Sequence, residues 1–283
     1  MRRAWRVGDV RAAEEALMRT VPDGVLMQRA AVGLARRCAL LLAERGGVYG
    51  SRVLLLAGAG NNGGDALYAG ALLAGRGAAV SALLLAPQRV HQGGLAALRR
   101  AGGRVVDAVP RDLDLAVDGI VGLGGSGGLR PSAEAAVRLL NARGTTIVAV
   151  DIPSGVDVDT GGLSGPVVRA DVTVTFGCLK PALVVGPAAP YAGEVELVDI
   201  GLEPWLRADA ALAVPEWPDI ERWWPAWRPP PRSTPGASWA SRPARRPIRA
   251  RLSSPWAARW PARRAWSGTR GAPRPTCCAT TRR

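Results

Sequence analysis

Apolar and polar positions along the chain form blocks that predict strands alternating with helices. Short, uninterrupted apolar runs predict strands, because a strand buried on both faces has no polar positions to alternate with. Longer segments between them show helical spacing of apolar residues. The predicted strands are residues 53–57, 79–85, 105–106, 115–121, 146–150, 172–175 and 194–200, and the predicted helices are residues 10–19, 23–44, 64–74, 91–101 and 131–142.

This alternation predicts an α/β fold in which a mainly parallel sheet carries helices on both faces. The character of the sequence changes after residue 215, so we expect one domain over residues 1–215 and a tail over residues 216–283. The part of the tail after residue 225 is rich in Arg, Pro, Ala, Ser and Trp and shows neither helix nor strand periodicity. Such a segment is predicted to be disordered or poorly folded.

The formal net charge of +14 would ordinarily suggest a nucleic acid or an anionic surface as partner. The distribution of the charged residues along the chain argues against such a partner. Of the 37 basic residues, 14 lie in residues 226–283, where there is no Asp or Glu, and the remaining 23 equal the 23 acidic residues of the chain. The basic character therefore belongs to the tail, and the body is neutral.

Composition also narrows the chemistry. The four cysteines form no CxxC pair, and His91 is the only histidine, so a zinc site or a disulfide framework is not expected. His91 itself is predicted to be a helix-start residue. The N-terminus has no apolar segment of the kind found in signal peptides, and no apolar run is long enough to span a bilayer. We therefore expect a cytoplasmic protein without a membrane partner.

The most informative segment, residues 58–65, reads Gly-Ala-Gly-Asn-Asn-Gly-Gly-Asp and follows the first long apolar strand. A glycine-rich turn that opens a helix presents backbone N–H groups to a phosphate or another anion. The spacing of Gly58, Gly60 and Gly63 also matches the dinucleotide fingerprint, which expects an acid about 20 residues further on. The next strand instead ends in Leu-Ala-Pro-Gln-Arg, so ordinary hydride transfer is disfavoured.

Polar side chains follow three of the predicted strands, and the carboxyl ends of strands are where open α/β sheets bind ligands. They are Asn61, Asn62 and Asp65 in the first group, Asp118 in the second, and Asp151 with Ser154 in the third. Oxygen atoms from such groups suit a cation, and a further acid suits proton transfer. Each residue also has a purely structural interpretation, since Asp and Asn often cap turns or tolerate left-handed backbone. The occurrence of three groups together favours a site.

Taken together, these segments resemble the YjeF N-terminal-type NAD(P)H-hydrate epimerase family. The segments that carry the resemblance run in the family's order at residues 11–15, 26–31, 58–65, 118–122, 150–157, 159–161, 173–177 and 180–181. The resemblance implies a Rossmann-like three-layer α/β/α sandwich. It also implies interconversion of the R and S forms of hydrated NADH and NADPH, with one bound potassium ion per subunit and a possible homodimer.

Carried over by motif, the resemblance assigns roles to individual residues. The substrate-binding residues would be Asn61, Asn62, Gly63, Gly64, Asp65, Gly122, Leu123, Gly124, Gly125, Ser126, Gly127, Gly128 and Asp151. Asn62, Asp118 and Ser154 would be the potassium ligands, and Asp151 would be the catalytic acid–base group. The family's loop after Asp118 often differs from the sequence found here.

Two alternatives stay open at this stage. One is a non-catalytic nucleotide-binding or scaffold module with the same fold, and the other is a nucleic-acid-binding protein that uses the Arg- and Trp-rich tail. Bacterial two-domain members of the family continue into an ADP-dependent dehydratase, which the tail does not resemble. A second domain that has been lost or read in a shifted frame near residues 225–228 would explain the tail and would remove the reason to expect a nucleic acid partner.

Overall fold

A seven-stranded parallel sheet forms the centre of the fold. The computed structural model describes residues 1–125 and 128–224, so Ser126, Gly127 and residues 225–283 lie outside the described part. The strands of the sheet are β2 (Arg52–Ala57), β3 (Ala79–Leu84), β4 (Arg104–Val106), β5 (Leu115–Gly119), β6 (Ile147–Val150), β7 (Val172–Phe176) and β8 (Glu194–Val198), and a separate antiparallel pair consists of β1 (Arg2–Ala4) and β9 (Leu212–Val214). Every neighbouring pair of the main sheet is parallel, which confirms the predicted sheet.

Helices cover both faces of this sheet. The helices that cover it are α1 (Val7–Met18), α2 (Val25–Ala43), α3 (Asn61–Ala74), α4 (Gln92–Arg100) and α5 (Pro131–Arg143), and a further short helix, α6 (Trp217–Trp223), has no buried residue. Alternate residues of one strand point to opposite faces, so Leu55 packs in the core that includes residues of α1 to α4, and Leu54 packs in the core that includes residues of α5. The two cores confirm the three-layer α/β/α sandwich.

Two predicted element boundaries differ from the structure for identifiable reasons. The helix after the glycine-rich turn begins at Asn61 rather than at residue 64, because neighbouring polar residues and glycines hide the helical pattern. The strand predicted to reach residue 121 ends at Gly119. There the N–H of Ile120 donates to the Asp118 carboxylate and the N–H of Val121 donates to Ser154, so side chains replace the next strand bonds.

The strand order places a crevice between β2 and β5. In the sheet order β4-β3-β2-β5-β6-β7-β8, the chain runs outward from β2 to β4 and then returns to the other side of β2 to begin β5. Such a reversal separates the loops that follow the two central strands and opens a binding crevice at their carboxyl ends. The glycine-rich turn after β2 and the loop after β5 both lie at this point.

The sequence pattern missed the pair β1–β9 and the helix α6. Strands of three residues are too short to show periodicity, and their pairing joins residues about 200 positions apart, Arg2 opposite Val214. Residues 216–224 belong to the predicted tail, but in the structure they contain α6. The terminal amino group of Met1 lies 2.6 Å from Asp219 of this helix. Residues 216–224, which the sequence analysis assigned to the tail, thus contain a short helix. The rest of the tail lies outside the described residues, so the boundary at residue 215 and the disorder of the tail stay predictions.

Candidate active site

The glycine-rich turn brings the first polar group to the carboxyl end of β2. Gly60 has a φ of 83°, in the left-handed region that residues with a side chain rarely adopt. A side chain at Gly58 would overlap the backbone carbonyl of Ile120. The turn can therefore lie directly against the end of β5 only because these positions are glycine. Asn61 then begins α3, whose N-terminus carries a partial positive charge.

Asp118 and Ser154 form a hydrogen-bonded oxygen cluster at the end of β5. The Asp118 side chain is fully buried. Its Oδ1 accepts from the Ser154 hydroxyl at 2.7 Å, and its Oδ2 accepts from the Ser154 N–H at 2.8 Å. The carbonyl oxygen of Val121 lies 3.3 Å from the same hydroxyl. One carboxylate, one hydroxyl and one carbonyl are thus brought together, a set of hard oxygen atoms that can hold a cation.

Asn62 of α3 lies next to this cluster. A Cβ atom at Gly122 would stand 2.7 Å from Asn62 Oδ1, so the glycine leaves the space that the amide occupies. The amide nitrogen of Asn62 is buried and has no hydrogen-bond partner among the described residues. Leaving a buried donor unpaired costs about 1–3 kcal/mol, so the position of this amide points to a ligand that the protein itself does not supply.

Burial controls the charge of Asp118. Loss of solvation raises the pKa of its carboxyl group to about 6, although the hydrogen bonds from Ser154 and Ile120 favour the charged form. A cation bound to the carboxylate would also favour the charged form. The protonation of Asp118 and the occupancy of the oxygen cluster should therefore be linked.

Asp151 follows β6 and holds a buried ion pair at the cavity wall. Its φ of 64° makes it the only residue other than glycine with a positive φ within residues 1–125 and 128–224. Its Oδ1 lies 2.5 Å from Lys180 Nζ and accepts a hydrogen bond from Thr175 Oγ1 at 3.0 Å. Left-handed backbone at a non-glycine residue costs about 1–3 kcal/mol, and such strain is concentrated at functional sites.

Two further acids lie near Asp151. Asp65 of α3 is 8% exposed, and its Oδ1 has no hydrogen-bond partner among the described residues. Burial, together with the negative charges of Asp151 and Glu14, raises the pKa of Asp65 well above its ordinary value. Burial likewise raises the pKa of Glu14 on α1, while Lys180 opposes that shift. Both environments favour a protonated carboxyl group beside a carboxylate–ammonium pair.

A cavity of about 990 Å³ joins these groups at the carboxyl edge of the sheet. Most of the residues predicted from the sequence line it, namely Asn61, Asn62, Asp65, Gly122, Leu123, Gly124, Gly125, Gly128 and Asp151. Asp118 and Ser154 are buried next to the cavity and do not form its wall. Gly63 and Gly64 of α3 are also buried and do not line the cavity, and the N–H of Gly64 donates to the carbonyl of Gly60, the residue before the helix.

Comparison with known proteins assigns this arrangement to a family. A family model described as YjeF-related protein N-terminus matches residues 23–182. An NAD(P)H-hydrate epimerase from Microbacterium testaceum is 45% identical over 213 aligned positions, which cover 72% of this chain and 80% of that protein. The chain belongs to the YjeF N-terminal family. The resemblance that the sequence motifs predicted is thereby confirmed.

Relatives of this YjeF-type chain include longer proteins. The bifunctional NAD(P)H-hydrate repair enzyme Nnr of Mycobacterium leprae is 49% identical over 226 aligned positions, which cover 80% of this chain and 46% of that protein. The chain thus spans about half the length of the bifunctional relatives it matches. A crystal structure of the yeast protein ynu0 superimposes with a TM-score of 0.56 at 24% identity, covering 63% of this chain and 82% of that one, and supports the fold.

Sequence reasoning missed some members of the YjeF-type site. Lys180, Thr175 and Glu14 were given no role, although all three stand in the matching motifs. The signal that could have found Lys180 is a lysine a few residues after a strand of Val, Thr and Phe, a segment typical of a buried strand, where a charge needs a buried partner. His91 behaves as predicted. It is the residue before α4, and its Nδ1 accepts a hydrogen bond from the Gly94 N–H at 3.0 Å.

The described part of the YjeF-type domain contains neither a clustered metal site nor a helix that could span a membrane. Residues 1–125 and 128–224 contain no group of three or more His, Cys, Asp or Glu side chains arranged to hold a metal ion. The oxygen cluster at Asp118 contains one carboxylate among neutral oxygen atoms, which suits an ion of low charge. None of the helices in the described part of the chain is long and apolar enough to cross a membrane.

Proposed function

We propose that this protein is an NAD(P)H-hydrate epimerase, which interconverts the R and S forms of hydrated NADH and NADPH. One observation carries the proposal: a buried oxygen cluster, an unpartnered amide and an ion-paired carboxylate meet at one cavity between β2 and β5. The cavity volume of about 990 Å³ is at the upper end of the range for small-molecule sites, about 300–1,000 Å³, and a dinucleotide needs such a volume. The names of relatives such as the Microbacterium epimerase support the same activity.

The substrate chemistry requires proton transfer at one carbon. The hydrated carbon bears a hydroxyl group and is bonded to the ring nitrogen, whose electron pair can expel the protonated hydroxyl group as water. The planar iminium ion that results can take up water from either face, and this changes the configuration. Asp151 lies on the cavity wall and is the carboxyl group that we assign to this proton transfer. The N-terminus of α3 at Asn61 would bind the substrate phosphates.

We infer that the oxygen cluster holds the potassium ion that the family resemblance implies. Asn62 Oδ1, the Asp118 carboxylate and Ser154 Oγ would be its ligands, and the donor set fits because all three are hard oxygen atoms with a single formal charge. The ion would fix the loop after β5 and add positive charge beside the substrate phosphates. The unpartnered Asn62 amide nitrogen would then be free to donate to a substrate oxygen atom.

Potassium is expected to stabilise the protein more at pH 7.5 than at pH 5. The carboxyl group of Asp118 has a pKa of about 6 in the folded protein, against an ordinary value of 3.8. Because the folded pKa is raised, the protonated form stabilises the fold. This stabilisation is fully present below about pH 3.8 and is lost as the pH rises through 6. Potassium binds the carboxylate and so competes with the proton. Thermal unfolding in potassium chloride and in choline chloride at the two pH values measures the difference.

The control for this measurement is Asp118→Asn, which cannot exchange a proton at this position. In that variant the potassium effect should be small and should not change with pH. An equal effect of potassium on the two proteins would show that the ion acts elsewhere, and would remove Asp118 as its ligand.

Gly122→Ala is expected to weaken potassium binding on the order of tenfold. The added methyl group would stand 2.7 Å from Asn62 Oδ1, and overpacking of this kind costs about 1–3 kcal/mol. Gly8→Ala is the matched control, because Gly8 lies on α1 outside the site and a Cβ atom there would meet no heavy atom within 4 Å. The potassium concentration for half-maximal activity measures the effect. Equal values for the two variants would show that Asn62 does not contribute to the ion site.

The function is tested with purified R-hydrate of NADH, whose conversion to the S-hydrate is followed against the spontaneous rate. An acceleration that scales with protein concentration is expected. Binding of the hydrate without acceleration would instead support the alternative, a non-catalytic nucleotide-binding or scaffold module.

The cytoplasmic location, the homodimer and the absence of a nucleic acid partner stay predictions. So does the shifted reading frame after residue 225, which sequencing of the gene around codon 226 would test.

A further inference from the structure

Lys180 is a buried lysine whose hydrogen bonds lead to Asp151. It is 1% exposed, and its Nζ lies 2.5 Å from Asp151 Oδ1, 2.9 Å from Thr175 Oγ1 and 3.0 Å from the carbonyl oxygen of Phe176. An ammonium group has three N–H donors, and these three contacts use them all. Lys180 therefore cannot reach the substrate, and its effect on the reaction must pass through Asp151.

Three hydrogen-bond donors surround one oxygen atom of the Asp151 carboxyl group. Lys180, Thr175 and the N–H of Phe176 all donate to the same oxygen atom, Oδ1, and Lys180 forms a buried ion pair with it at 2.5 Å. Oδ2 receives none of these hydrogen bonds and is left for the cavity that Asp151 lines. A carboxylate held in this way can accept a proton, but it is poorly suited to begin the reaction as a proton donor.

Asp65 has the opposite environment on the same cavity. It lies on α3, lines the cavity and has an unpartnered Oδ1 among the described residues, so no cation or donor there favours its charged form. The charged groups that face it are Glu14 on α1 and Asp151 after β6, which are both acidic. Lys180 and Arg11 are near enough to Glu14 to favour its charged form, and Cys178 is near Lys180, Asp151 and Glu14. Two carboxyl groups in different environments, one beside a cation and the other beside acids only, are the usual arrangement of an acid–base pair.

We propose that Asp65 and Asp151 divide the proton transfers of the reaction, and that Lys180 is the positioning residue that fixes Asp151 as the base. This inference rests on the proposed epimerase function. Asp65 donates a proton to the hydroxyl group as its C–O bond breaks, which releases water and leaves the iminium ion. Water then adds to the other face as the new C–O bond forms, and its proton passes to Asp151 Oδ2. Transfer of that proton back to Asp65, directly or through solvent, restores the enzyme, so no proton is consumed.

The first experiment compares wild type with Asp65→Asn, using Asp114→Asn as the matched control. Asp114 lies before β5, at the other end of the sheet, where it pairs with Arg52. Initial rates of R-to-S conversion of hydrated NADH are measured from acid to alkaline pH, after the enzyme-free rate is subtracted. Asp65→Asn should lower kcat about 10²–10⁴-fold, leave KM nearly unchanged and remove the fall in rate at alkaline pH. Asp114→Asn should match wild type.

The outcomes separate this proposal from the proposed function. A wild-type protein without activity would contradict the function itself. An active wild type together with an Asp65→Asn variant of wild-type kcat would overturn the assignment of Asp65. A variant that raises KM and keeps kcat would show that Asp65 only binds substrate, which also overturns it.

The second experiment tests Lys180. In Lys180→Met the acidic limb of the rate profile should move to higher pH by about 1–3 units, because Asp151 loses the neighbouring cation. The rate should then recover as the pH is raised. Lys180→Arg keeps the charge and should keep the limb near its wild-type position. A loss of activity that is uniform across pH would show a structural role and overturn the proposal.

Lys180→Met removes a buried charge and can fail to fold, so a milder variant accompanies it. Thr175→Val keeps the shape of the side chain and removes one hydrogen bond to Asp151 Oδ1. A smaller shift of the acidic limb in the same direction is expected. An unshifted limb in Thr175→Val, with its folding confirmed by circular dichroism, would contradict the role assigned to these hydrogen bonds.

Discussion

Asp151→Asn is expected to lower epimerisation about 10²–10⁴-fold, while the hydrated nucleotide still binds. The substitution keeps the shape and polarity of the side chain and removes the group that exchanges a proton with the reacting oxygen atom, and losses of this size are typical for a missing acid–base group. The measurement is the rate of conversion of R-hydrate to S-hydrate at saturating substrate, compared with the enzyme-free rate, together with the dissociation constant of the substrate.

The same substitution at Asp114 is the control, because that residue pairs with a half-exposed arginine and should contribute little to stability or activity. Thermal unfolding shows whether Asp151→Asn is folded. A folded Asp151→Asn variant with wild-type turnover would remove Asp151 from the proton transfer, and would leave it a role in positioning the substrate.

Asp118→Asn is expected to lower the apparent affinity for potassium on the order of 10–100-fold, with activity that returns in part at high potassium. The substitution removes the only formal charge of the oxygen cluster, and losses of this size are known even for residues that merely support metal ligands. It also places an amide NH₂ group against the Ser154 N–H donor, so a moderate loss of stability should accompany the change. The measurement is activity as a function of potassium concentration at constant ionic strength.

The contrast between the two variants separates chemistry from ion binding. Potassium should rescue Asp118→Asn and should have no effect on the residual activity of Asp151→Asn. Equal rescue of both, or of neither, would contradict the separate roles that we assign to the two residues.

Much of the fold could be predicted because its elements are encoded locally. The strands β2 and β5 are apolar runs that suit burial on both faces, and their neighbours along the chain have helical spacing. Strand-to-helix alternation then leaves few topologies, since crossover connections between parallel strands are almost always right-handed. The elements that were missed, β1 and β9, depend on a pairing between opposite ends of the domain, for which short segments leave no pattern.

The sequence predicted those residues of the candidate site that directly follow a strand. Asn62, Asp118 and Asp151 each stand near the end of an apolar strand, and parallel strands end at one edge of the sheet. The geometry could not be predicted. The Asp118 oxygen atoms accept hydrogen bonds from both the N–H and the hydroxyl of Ser154, which lies 36 residues further on. These contacts depend on how two loops pack against each other. Lys180 was overlooked because nothing in the local sequence indicates which buried charge it meets.

By itself the sequence determined the class of the fold, the neutral charge of its body and the types of side chain that reach the carboxyl edge of the sheet. These properties follow from periodicity and composition, which act over a few neighbouring residues. Only the tertiary structure decided which carboxyl group meets a cation. Lys180 pairs with Asp151, whereas Asp65 Oδ1 has no partner among the described residues, although the three residues are far apart in the chain. The charge of a buried acid depends on burial and on neighbours brought close by folding, and folding gives these two aspartates different neighbours.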